Sequence, residues 1–155
     1  MILAERFIAR ITRRPPDFVI GGAPAPYLRR WFVIPRNGIF NVYLHQFMRS
    51  DDDRALHDHP WANVSILLRG EYIEHTVDAG GVKRQSRFKT GDWRARFSGR
   101  IAHRIELSHG PCWTLFITGP RYRTWGFHCP DAGWVPWQHF TAPNEPGSIG
   151  KGCEE

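Results

Sequence analysis

Apolar and polar residues alternate along most of this chain in short runs set apart by glycine-rich turns. The first residues are different. Ile2, Leu3, Phe7, Ile8 and Ile11 recur at helical spacing, and the Pro15-Pro16 pair ends the pattern. Gly21 to Pro26 reads as a loop, and "RRWFVIPRNGIFNVYLHQFM" as two strands about a Pro-Arg-Asn-Gly turn. "RSDDDRAL" is a polar connection. Strand-like runs then follow closely: "GEYIEHTVD", "VKRQSRFK", "WRARF", "IAHRIEL" and "CWTLFITG", with turns at Gly80-Gly81 and Thr90-Gly91-Asp92. Many short strands with little helix predict an all-β sandwich or barrel. "GWVPWQHF" reads as a hydrophobic clasp over that barrel. The composition changes after Phe140, which predicts one domain over residues 1–140 and a mobile tail over 141–155.

One run carries chemistry. "HDHPWANVSILLRG" places His57 and His59 at the entrance to an apolar strand. Read as a single strand, it lines up His57, His59, Trp61, Asn63, Ser65 and Leu67 on one face. Val64, Ile66 and Leu68 fall on the other. In "RIAHRIEL" the same count turns His103 inward with Ile101, Ile105 and Leu107. A buried imidazole needs a partner, and one metal would satisfy all three rings. Asn63 is a poor ligand type and reads as a hydrogen-bond partner behind the ligands. His45, one strand earlier, is either a fourth ligand or a core residue. Asp58 faces away from the pair. Asp51, Asp52 and Asp53 lack the spacing of a calcium loop and read as solvated.

Composition refines this picture. The 155 residues are 41% hydrophobic, with seven Trp and ten Phe, enough for a bulky aromatic core. The formal charge of +6 rests on eighteen Arg against three Lys. Guanidinium groups suit carboxylate and phosphate, so a small anionic molecule is the expected partner. The basic residues are scattered rather than clustered, which argues against nucleic acid. Tyr43, Tyr72, Arg94, Arg96, Arg121 and Arg123 are candidates to line a pocket mouth. Cys112, Cys129 and Cys153 form no disulfide framework or zinc pattern, so Cys153 reads as a free thiol and the setting as reducing and cytoplasmic. No run is long enough to span a bilayer as a helix, and no membrane association is expected.

The histidine run resembles the first cupin motif, in which His-x-His is followed by a Glu and, six residues later, a Gly. His57, His59 and Gly70 match, while Asn63 stands where the Glu is usual. Gly91 and His103 match the second motif loosely, and "FSGRIAH" supplies only Gly99 of its usual Pro-x-Gly. Over roughly residues 31–127 the resemblance implies a double-stranded β-helix, preceded by the short N-terminal helix that the spacing predicts. The chain is also similar to uncharacterised small cupin-like proteins of phages and bacteria.

A three-His set without the Glu resembles the thiol and diketone dioxygenases. By that resemblance His57, His59 and His103 hold a divalent metal, with Fe(II) favoured and Zn, Ni or Mn also suited. Asn63 or Tyr72 orients the bound species, and Arg94, Arg96 and Tyr43 hold the substrate. The alternatives are a sugar or sugar-phosphate isomerase or epimerase, and a non-catalytic metal-binding module. The apolar stripe Val64, Ile66 and Leu68 needs cover. A homodimer with residues 18–34 near its interface is expected.

Overall fold

The computed structural model describes residues 2–22, 24–51, 55–143 and 148–153. Helix α1 (Ile2–Ile11) precedes strands β1 (Phe18–Ile20), β2 (Leu28–Phe32) and β3 (Asn41–Phe47). Then come β4 (Leu56–His57), β5 (Asn63–Arg69), β6 (Glu71–Val77), β7 (Lys83–Lys89), β8 (Trp93–Arg96), β9 (His103–Leu107) and β10 (Cys112–Thr118). The chain continues through β11 (Gly126–Cys129), β12 (Gly133–Pro136) and the short helix α2 (Trp137–Phe140). The strands form two six-stranded sheets, ordered β1-β2-β3-β10-β5-β8 and β12-β11-β4-β9-β6-β7. Every named pairing is antiparallel, with inner faces enclosing the core, as a double-stranded β-helix requires.

Strand alternation explains the burial. On β3, Tyr43, His45 and Phe47 are buried facing inward, while on β6 the buried set is Tyr72, Glu74 and Thr76. The outer face of the first sheet is apolar too, and α1 explains part of it. Ile8, with Phe7 and Ile11, packs on Trp31, Leu44, Trp113 and Leu68. Gly70, at φ +93°, turns β5 into β6 where a Cβ would lie 2.8 Å from Cβ of Cys112. That position has no room for a side chain.

Three sequence expectations change here. The run from His57 to Leu67 is not one strand. Pro60 lacks an N–H and the buried Asp58 carboxylate accepts from the Gly126 N–H, so the chain leaves the second sheet after β4 and enters the first at β5. Cys153 is not a free thiol but is bonded to Cys129, their Cα atoms 5.5 Å apart. A bridge between Thr141 and Ile149, with Gly150 and Gly152 N–H groups donating to the Phe140 carbonyl, folds this segment back onto the body. Residues 148–153, expected in a mobile tail, therefore lie against the barrel, and the cysteine-based argument for a reducing setting falls away. Among the described residues no helix is long and apolar enough to cross a membrane.

Candidate metal centre

The site begins with a two-residue strand. Leu56–His57 pairs with β9 so that His57 stands directly opposite His103, which sets the two rings side by side, their centroids 4.7 Å apart. His59 follows the strand, its backbone N–H donating to the Gly99 carbonyl at 2.8 Å. Position 99 must be glycine for this approach, since a Cβ there would lie 2.3 Å from the His59 carbonyl oxygen. Arg123 ties the loop from behind. Its Nη1 donates to the His59 carbonyl at 3.1 Å and lies 2.9 Å from the Asp58 carboxylate. Asp58 faces away from the rings, toward Arg123 and the Trp134 indole N–H, as its strand parity predicted.

The three imidazoles then converge. One nitrogen from each of His57, His59 and His103 lies within 4.8 Å of the others, and Nε2 of His59 is 2.9 Å from Nε2 of His103. Two nitrogens bound about 2.1 Å from one ion on perpendicular bonds stand about 3.0 Å apart. The donor set thus fits a divalent cation, because imidazole suits the transition metals. Burial lowers the pKa of all three histidines, and Arg96 with the neighbouring rings lowers those of His59 and His103 further. The rings are therefore neutral with lone pairs available, the form that binds metal.

Two carboxylates stand behind the rings, and the sequence reading missed both. Glu74, fully buried on β6, places Oε1 2.9 Å from Nδ1 of His103, a charged contact behind the ring that lacks the angle of a hydrogen bond. Asp51 lies 3.8 Å from Nδ1 of His57 and accepts from the Ile105 N–H at 2.6 Å. Asp51 is thus no solvated residue, while Asp52 and Asp53 lie outside the described residues. Glu74 was legible as a charge on the inward row Tyr72, Glu74, Thr76. Asp51 carried no such signal.

The other expected site residues are distributed differently. Asn63 is buried beside Arg96, its register partner on β8, with Oδ1 3.5 Å from Nη1 of that arginine. Arg96, its pKa lowered to about 10 by burial, pairs with Glu74, and Arg94 Nε stands 3.0 Å from the same carboxylate. Both arginines expected to grip substrate are therefore engaged by Glu74. Tyr72 lines the cavity, stacked on Phe88, with burial pushing its phenol up to about 12. Tyr43 is buried beside Arg30 and His45 rather than at a pocket mouth. His45 is not in the ligand group. Its Nε2 lone pair accepts from Nε of Arg30 at 2.8 Å, and Phe116 stacks on its ring. Cys112 is buried with its thiol pushed up to about 12, so it is not a nucleophile.

The centre opens into a cavity of about 540 Å³. Its walls are largely aromatic, with Phe47, Phe116, Phe127 and Trp61 from the barrel and Trp137 and Phe140 from α2. Ser148 and Ile149 of the disulfide-anchored segment complete the rim.

No protein-family model matches the sequence, and no curated protein matches it. Solved structures do. Bacillus subtilis oxalate decarboxylase, described for its Mn(II) centres, is 15% identical, with 76% of this chain and 31% of that one covered at a TM-score of 0.54. FeII HppE in complex with substrate is 12% identical, covering 68% of this chain and 57% of that one at 0.53. An uncharacterized conserved Klebsiella pneumoniae protein with a double-stranded β-helix domain is 16% identical, covering 70% and 90% at 0.51. The chain thus spans under a third of the decarboxylase and somewhat over half of HppE. At these identities the likeness is one of fold, the cupin double-stranded β-helix.

Proposed function

We propose that this chain of cupin fold is a metal-dependent enzyme, an Fe(II) oxygenase that acts on a small anionic molecule with dioxygen as the oxidant. One observation carries the reading: among the described residues three neutral imidazoles and no carboxylate converge at the wall of a largely apolar cavity. Fe(II), held by these three residues, would supply the redox chemistry. The chain's own residues do the rest. His57, His59 and His103 would hold the ion, Glu74 stands behind His103 and Asp51 near His57, and the apolar walls would exclude water. Neighbouring folds that carry Fe(II) or Mn(II) support a divalent metal.

Metal content of protein purified without added metal, followed by anaerobic Fe(II) loading and oxygen uptake against thiols, diketones and amino acids, tests this. About one ion per chain is expected, lost in His57→Ala, His59→Ala and His103→Ala. Substrate-dependent oxygen uptake is expected only in the iron form. Metal without turnover on any compound favours a non-catalytic module. Unchanged metal binding in all three variants refutes the site.

A further inference from the structure

Four charged residues line the cavity: Arg30, Asp51, Glu74 and Arg96. Three are accounted for. Arg96 and Glu74 pair with each other, and Asp51 is engaged by the Ile105 N–H and stands by His57. Arg30 is different, because no described carboxylate pairs with it. Its Nε donates to His45 Nε2 at 2.8 Å, and its guanidinium carbon lies 4.9 Å over the Tyr43 ring. These contacts hold one edge and one face of the group and leave both Nη groups without a described partner. Burial lowers its pKa only to about 10, so the charge stays at neutral pH.

The fold sets where this cation stands. Arg30 on β2 is the register partner of His45 on β3, which is why their side chains share the inner face. Phe116 stacks on His45 at 5.1 Å and reaches within 6.0 Å of the His59 ring. Arg30, His45, Phe116 and His59 therefore make a continuous row along the cavity wall, cationic at one end and metal-ligating at the other. Because Arg30 Nε–H is always a donor, His45 Nε2 must be the acceptor, and neutral His45 carries its proton on Nδ1. His45 is a positioning residue for Arg30 and not a ligand.

We infer that Arg30 anchors the acid group of the molecule that the three-His centre acts on, and that this molecule is a carboxylic acid with a bulky apolar body, resting on the reading of that centre as a metal site. The body follows from the walls, since a cavity of about 540 Å³ lined by Phe47, Phe116, Phe127 and Trp137 exceeds what a two- or three-carbon acid fills. A guanidinium with free Nη groups matches a carboxylate bidentately.

Titration of 3-phenylpropionate, its neutral amide and acetate, followed by tryptophan fluorescence in metal-loaded and chelator-treated protein, tests this. The expected order is phenylpropionate tighter than either control. Arg30→Gln weakens phenylpropionate about ten- to a hundredfold in both forms and leaves the amide within twofold. Arg30→Lys recovers part of the loss, and Arg30→Met serves where Arg30→Gln fails to fold. Acid affinity unchanged by these variants, or an amide bound as tightly as the acid, overturns the assignment. Acid binding that vanishes only with the metal overturns it too and leaves the metal reading standing. Arg30-dependent binding in protein that takes up no metal removes the catalytic reading and keeps the anion site.

Discussion

Glu74→Gln is the substitution with the widest reach, because this carboxylate joins the centre to the barrel wall. Glu74 is 1% exposed and meets His103, Arg94 and Arg96 at once. A glutamine has the same shape but presents an NH₂ where an oxygen accepted, so one donor faces another. Arg96, itself 3% exposed, is left with an uncompensated charge. Removing one partner of a buried pair costs about 3–5 kcal/mol. The Arg94 arm adds little, because its side chain is 32% exposed and screened. Loss of the group behind His103 should lower metal affinity about 10–100-fold. Urea denaturation of metal-free protein gives the first quantity, and competition with a chelator of known affinity gives the second. A variant within 1 kcal/mol of wild type that binds metal undiminished would refute the role assigned to Glu74.

Further predictions concern pH, the disulfide and assembly. Burial holds His45, His57, His59 and His103 below the ordinary histidine value, so the unfolded chain takes up protons first as pH falls through about 6.5. Stability is therefore full above that pH and declines below it, by up to about 1.4 kcal/mol per unit for each histidine, and a flat denaturation midpoint between pH 7 and 5 would contradict this. Reducing the Cys129–Cys153 bond, 24 residues apart in sequence, should cost about 3 kcal/mol by loop entropy, and melts with and without dithiothreitol check it. No change would mean the bond does not form in solution. The first sheet's outer face keeps Val64 and Ile66 only half-buried beside Trp93, which is 67% exposed, so we expect a homodimer, and a monomeric mass in light scattering at micromolar concentration would refute it.

Much of this was legible in the sequence because strand alternation is a local signal. Ile105 and Leu107 after His103 announced an inward imidazole, although Ile101, expected inward with them, lies before β9 and is exposed, and the spacing of His57, His59 and Gly70 carried the fold. What alternation cannot report is where a chain changes sheets. Pro60 and the buried Asp58 make that break, so strand parity puts Asn63 in line with the ligands although it lies in the other sheet beside Arg96. Non-local pairing was equally hidden. Arg29 and Arg30 are adjacent, and only the register of β2 against β3 shows which one lies against His45. The Cys129–Cys153 bond depends on a fold-back at Phe140 that no periodicity predicts.

The cavity draws its two ends from different sheets. His57 and His103 sit on β4 and β9 of the second sheet, while Arg30 and His45 sit on β2 and β3 of the first. The barrel therefore works as a caliper: the reach a bound molecule needs is the gap between facing sheets, not the contour of a loop. Volume changes at Phe47, on the inner face of the first sheet, would reset that gauge without touching a histidine ligand. A molecule long enough to touch both jaws would act as a strut, so amide hydrogen exchange should slow in the two sheets together.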